Sequence, residues 1–213
     1  MITNGRFRVT FSIIKAVKGV KIMEQIGQIE VICGPMFAGK TEELIRRANR
    51  LEYAKKKYLV FKPTIDDRYS TTEIVSHSNY RKNSISIKNS NEILGYITDE
   101  VKAVIIDEVQ FFDENIINIA CYLADKGLRV ICGGLDCDFK GNPFPIVANL
   151  LARAESVTKL NAICNVCGSP ATRTQRIIDG QPAYEDDPII LVGATEAYEP
   201  RCRCCHMVLK RDK

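Results

Sequence analysis

The sequence predicts an α/β protein: a parallel sheet with flanking helices built around a phosphate-binding loop, followed by a small metal-stapled domain. Three observations predict it. Gly34-Pro35-Met36-Phe37-Ala38-Gly39-Lys40-Thr41 fits the pattern G-x-x-x-x-G-K-[ST]. Apolar runs of strand length alternate with helical periodicities as far as about residue 160. Two C-x-x-C pairs, Cys164/Cys167 and Cys202/Cys205, stand in the last part of the chain.

Gln28–Cys33 alternates in front of the loop as a strand does, and Glu42–Tyr53 follows as a helix with Leu44, Ile45, Ala48 and Leu51 on one face. A helix entered this way points its N-terminal dipole at bound phosphates. Tyr58–Phe61 reads as a second strand, ended by Lys62-Pro63. Thr64–Asn91 is polar and reads as a long excursion. Ala103–Asp107 is an apolar run suited to burial on both faces. Phe112–Lys126 has helical period, Leu128–Cys132 is another strand, and Pro143–Leu160 is expected to be helical with a break near its start. Past Asn161 short β-like runs appear, and Asp179-Gly180 marks a hairpin turn between Arg173–Ile178 and Gln181–Tyr184. The expected division is a tail over 1–26, a nucleotide-binding domain over 27–160 and a small zinc-binding domain over 161–213.

Composition narrows the function. With 46% hydrophobic and 26% charged residues among 213, the chain reads as a globular protein without a membrane span. The formal charge of +4 comes from residues 1–22, which hold Arg6, Arg8, Lys15, Lys18, Lys21 and no acid. From Met23 onward the chain is nearly neutral, which argues against a nucleic-acid partner. The first residues read as a loosely attached tail, with Met23 as a natural start of translation. A P-loop chain with nine cysteines belongs in a reducing cytoplasm, where paired thiols at short spacing bind metal more often than they form disulfides.

Each loop position has a chemical task. The glycines let backbone N–H groups turn toward phosphate oxygens, Lys40 supplies a point charge, and the Thr41 hydroxyl is placed to hold Mg²⁺. Asp107 ends an apolar strand, where a carboxylate reaches the same Mg²⁺, and Glu108 beside it suits the proton of an attacking nucleophile. Two C-x-x-C pairs, 34 residues apart, close a tetrahedral Cys₄ site of the structural kind, with His206 as an alternative ligand and Cys204 as a complication. A redox pair or free thiols are the competing readings. Cys33, Cys121 and Cys132 lie in apolar runs and read as core residues.

Five strings together resemble the type II (cellular-type) thymidine kinases: the loop G-P-M-F-A-G-K-T, Asp66-Asp67-Arg68-Tyr69-Ser70, Asp107-Glu108-Val109-Gln110-Phe111-Phe112, Gly134-Leu135-Asp136-Cys137-Asp138-Phe139, and the two cysteine pairs. The resemblance covers about Gly27–Val208. It implies a P-loop (RecA-like) fold, a zinc-ribbon and lasso domain, and transfer of the ATP γ-phosphate to the 5′-hydroxyl of thymidine. It implies Glu108 as general base, and Lys40 with the loop amides of residues 34–41 as the triphosphate cradle. It places Thr41 and Asp107 at Mg²⁺, Asp66 and Arg68 as a phosphate- and substrate-side pair, Asp67 and Gln110 at the nucleotide, and makes Lys40 and Arg68 catalytic, with Arg68 suited to charge on the transferring phosphoryl. Met36, Phe111, Leu135 and Phe139 match the walls around the base, and Asp66 the substrate. Ile189, Ile190, Leu191, Val192, Gly193 and Tyr198 match the lasso that closes over thymidine. A homotetramer and feedback inhibition by dTTP are further implications. Asp67, the Cys137-Asp138 pair and Cys204 depart from the family pattern. The contrasting reading is a P-loop ATPase whose zinc ribbon binds DNA or a protein, against which the near-neutral charge weighs.

Overall fold

The computed structural model describes residues 27–64, 84–189 and 196–211. The expected N-terminal tail, Asp66, Asp67, Arg68 and Ile190–Gly193 lie outside the described residues.

In chain order the main elements are β1 (Gln28–Gly34), α1 (Lys40–Tyr53), β2 (Lys57–Pro63), β3 (Ser84–Ile87), β4 (Val101–Ile106), α2 (Ile116–Asp125), β5 (Arg129–Leu135), α3 (Pro145–Arg153) and β6 (Ser156–Lys159). Their six strands form one sheet in the order β3-β2-β4-β5-β1-β6, and every pair is parallel. This is the expected parallel sheet with flanking helices.

Alternation along the central strands explains both layers. Val31 and Cys33 of β1, Val104 and Ile106 of β4, and Val130 and Cys132 of β5 join a core with Ile116, Ile119 and Leu123 of α2 and Val147 and Leu150 of α3. The intervening Ile32, Ile105 and Ile131 face the other way, onto Leu44, Ala48 and Leu51 of α1. A strand covered on both faces has no polar side, which is why residues 103–106 are apolar throughout. Ile105 and Ile106 are both fully buried, each stabilising the fold by about 1.5–3 kcal/mol.

Two segments differ from the sequence reading. The helix expected to run to Leu160 stops at Arg153, and Ser156–Lys159 pairs with β1 as an edge strand. The strand is short and mostly exposed, so it has no apolar alternation to betray it. Within the polar excursion, Ser84–Ile87 adds the opposite edge strand through β2.

Beyond β6 come β7 (Ala162–Ile163), β8 (Pro170–Ala171), β9 (Arg173–Ile178), β10 (Gln181–Pro182) and β11 (Glu196–Arg201). They form a two-stranded sheet, β7-β8, and a three-stranded one, β10-β9-β11. Ile178 faces Gln181, so Asp179-Gly180 is the two-residue hairpin turn; both residues take positive φ, 48° and 78°.

Candidate active site

The carboxyl ends of the parallel strands share one edge, where ligands of open α/β sheets bind. Strand β1 runs into the phosphate loop. Strand β4 ends at Asp107-Glu108, and β5 lies between them.

Gly34, Phe37 and Gly39 all take positive φ, 147°, 63° and 80°, which curls the loop. Gly34 is required for a second reason: a Cβ there would lie 2.3 Å from Leu160 O. Pro35 is buried, Met36 and Ala38 are half-buried, and Phe37 is exposed. Lys40 Nζ donates to Pro35 O at 2.7 Å, so the loop's own carbonyl holds the cation. Burial draws Lys40 below the ordinary lysine range, while the charges of Glu108, Asp136 and Asp107 oppose this. Thr41 is the second residue of α1, whose first turn also carries Glu42 and Glu43.

Asp107 is buried, and its carboxylate meets Lys62 Nζ at 3.2 Å. Its Oδ1 also accepts from the Glu108 N–H at 3.0 Å. Glu108 takes a left-handed backbone, φ 53° and ψ 41°. Burial and the adjacent Asp107 charge push its carboxyl above the ordinary range, against Gln110, Lys40 and Lys62, which act the other way. Gln110, expected at the nucleotide, is buried and donates from Nε2 to Glu108 at 2.6 Å. Its Oε1 accepts from Leu135 N at 3.1 Å.

Among the expected wall residues, Leu135 and Phe111 are half-buried, and Phe111 meets Phe144 edge-on with centroids 6.3 Å apart. Phe139 is 3% exposed, with the Arg176 guanidinium 5.2 Å and Lys140 Nζ 5.3 Å from its ring centre. Ile189 is exposed. Tyr198 is half-buried and sits directly across from Arg176 in the β11–β9 pair.

The four sulfurs of Cys164, Cys167, Cys202 and Cys205 all lie within 4.8 Å of one another, and those of Cys167 and Cys202 are 3.6 Å apart. Tetrahedral zinc with bonds of about 2.3 Å spaces its sulfurs by about 3.8 Å, so this donor set fits zinc. His206 turns elsewhere: its Nε2 is 2.8 Å from Phe139 O. Cys33 and Cys132 are buried, and burial pushes their thiols up to about 11 and about 12, as suits core residues.

Four contributors escape sequence reasoning. Lys62 pairs with Asp107, and its position at the end of a strand was the available clue. Asp136 is buried beside Lys159 Nζ at 2.9 Å. Thr174 Oγ1 accepts from Met36 N at 3.0 Å, tying β9 to the phosphate loop. Arg176 is fully buried and donates to Pro188 O and, at 3.4 Å, to Ile189 O.

The chain resembles domain III of the replication initiation protein DnaA from Thermotoga maritima at 16% identity, with a TM-score of 0.37 over 64% of this chain; it spans 56% of that domain's length. It resembles the flagellar accessory protein FlaH from Methanocaldococcus jannaschii at 10% identity, with a TM-score of 0.40 over 74% of this chain and 76% of that one. Both likenesses are too distant to bear on the chemistry. The family model described as thymidine kinase matches residues 27–206, a stretch that takes in the phosphate loop, the Asp107-Glu108 strand end and all four clustered cysteines. On that match the chain belongs to the thymidine kinase family.

Proposed function

We propose that the protein transfers the γ-phosphate of ATP to the 5′-hydroxyl of thymidine, giving dTMP and ADP, in pyrimidine deoxynucleotide salvage for DNA synthesis. Deoxyuridine is a second candidate acceptor. The observation that carries this reading is Glu108: a half-buried carboxyl with elevated proton affinity, beside Asp107 and within the field of Lys40.

In this mechanism the loop N–H groups and Lys40 bind the donor phosphates, and Lys40 leaves Pro35 O to do so. Thr41 and Asp107 would hold Mg²⁺, which when bound neutralises charge on the phosphate oxygens. Glu108 accepts the proton of the 5′-hydroxyl as that oxygen attacks phosphorus. Phosphoryl transfer otherwise needs only positioning and charge stabilisation, and Asp66, Asp67 and Arg68 are assigned to the phosphate and substrate side. Met36, Phe111, Leu135 and Phe139 form the walls for the base. By the resemblance, Ile189–Gly193 and Tyr198 are assigned to a lid over the nucleoside; a lid that excludes water keeps ATP from being hydrolysed instead. The Cys₄ site holds structural zinc and anchors that lid, within a small domain over 161–213. A homotetramer, inhibition by dTTP and a cytoplasmic location complete the proposal.

A nucleoside panel with ATP, read as monophosphate products, tests it. Thymidine is expected to yield dTMP and to stimulate ADP formation. ATP hydrolysis stimulated by DNA and indifferent to thymidine would sink the kinase reading in favour of an ATPase. Glu108→Gln is expected to lower turnover about 10²–10⁴-fold with ATP binding retained; unaltered turnover would contradict the assignment of the base.

A further inference from the structure

Gln110 has both ends of its amide engaged. Nε2 donates to the Glu108 carboxylate at 2.6 Å, and Oε1 accepts from the backbone N–H of Leu135 at 3.1 Å. The side chain is 7% exposed. It therefore bridges the end of β4 to the end of β5, one strand nearer the phosphate loop.

Two further observations show that this bridge is built into the site. Glu108 holds a left-handed backbone, φ 53°, which a residue with a side chain adopts only where its surroundings impose it. The Asp107 carboxylate grips the Glu108 N–H, and Gln110 grips its side chain, so both halves of the residue are restrained. On the far side, Gly134 leaves the space the amide occupies. A Cβ at Gly134 would lie 2.5 Å from Gln110 Oε1 and 2.9 Å from Val109 Cγ1.

We propose that Gln110 is a positioning residue for Glu108, an amide strut braced on the Leu135 N–H in the room left by Gly134. This rests on the reading of Glu108 as the base of the transfer. The carboxylate is acceptor-only when ionised and would otherwise swing about its side-chain torsions. The strut occupies one oxygen, Oε2, and leaves the other for the incoming hydroxyl. Leu135 is also an expected wall residue of the nucleoside site, so the strut sets the base and that wall from one side chain. Misplacement of a reacting group by about 1 Å costs up to about a hundredfold in rate.

The test is a double-mutant cycle on the purified full chain, reading thymidine-dependent ADP formation and KM for ATP. Gln110→Met removes both hydrogen bonds. Gln110→Leu, close in volume and unable to hydrogen-bond, is the second variant, and an unchanged Tm in both guards against a variant that merely misfolds. Each is expected to lower kcat by about tenfold or more with KM for ATP within about twofold. In a Glu108→Gln background the same changes are expected to cost less than about twofold, because the strut acts through the carboxylate. Equal losses in both backgrounds would show a general structural role and overturn the proposal. A raised KM for ATP with unaltered kcat would make Gln110 a nucleotide contact and overturn it too. A wild-type chain with no thymidine-dependent turnover removes the kinase reading and this inference together; an active wild type with an indifferent Gln110 removes the inference alone.

Discussion

Glu30 lies beneath α1, and its carboxylate receives the guanidinium groups of Arg47 and Arg129 and the amide of Gln28. Arg47 reaches on to Thr158 Oγ1 at 2.8 Å and Glu43 at 2.9 Å, so one buried carboxylate gathers β1, β5, β6 and α1. Burial alone would raise the proton affinity of Glu30. The Arg129 hydrogen bonds and charge, the Gln28 bond and the Arg47 charge outweigh it and hold the group below its ordinary 4.5. A carboxyl depressed by folding adds stability that is fully present above its unfolded pKa. That stability is lost as pH falls through the folded value. Glu30→Gln is therefore expected to cost about 3 kcal/mol at neutral pH, since it leaves the buried Arg47 with only the Glu43 carboxylate and takes the counter-charge from Arg129. The deficit relative to wild type should shrink as the pH drops below about 4.5. Denaturant melts of both chains across that range check this, and a pH-independent difference would refute it. The residue was legible only as one letter of an alternating strand, because its charged partners come from two distant segments, α1 and β5.

At the scale of elements, α1 and the β9–β11 pair repay comparison. Helix α1 was readable from its sequence: Leu44, Ala48 and Leu51 recur at helical spacing and are buried. Glu42 and Glu43 in the first turn and Arg50 in the last suit its dipole. In β9 the residue that matters most, Arg176, gave no such signal. It is a basic residue in a polar run, yet it is fully buried, stacked by Phe139 and bonded to the carbonyls at Pro188 and Ile189. A planar guanidinium can stack and donate in several directions at once, and an ammonium cannot do both. Arg176→Lys is expected to raise KM for thymidine about tenfold while KM for ATP and bound zinc stay unchanged. Steady-state kinetics with metal analysis would decide it, and an equal rise in both KM values would contradict this placement.

Across the whole molecule the main sheet and the cysteine cluster draw their stability from different sources. The sheet has extensive apolar cores on both faces. The cysteine cluster has Ala162, Ala171, Cys164 and Cys202, with Cys205 and Ala38 of the phosphate loop packed against them. So little apolar surface points to metal as the source of its order. Because Ala38 and the Met36–Thr174 hydrogen bond join it to the loop, the effect of metal should reach the donor side. Removing zinc by chelation, or by Cys167→Ser, is expected to raise KM for ATP as well as for thymidine and to lower the Tm. ATP binding indifferent to zinc would show that the two parts are independent. The sequence by itself determined the phosphate loop, the acidic end of β4, the paired cysteines and the Asp179-Gly180 hairpin, because each is encoded by neighbouring residues at short spacing. Only the tertiary structure decided that Ser156–Lys159 is an edge strand, that Lys62 meets Asp107, and that Thr174 and Arg176 reach Met36 and Phe139. Those pairings join residues far apart in the chain, and what brings them together is the packing of the sheet and the small strands against each other, which no local pattern of side chains records.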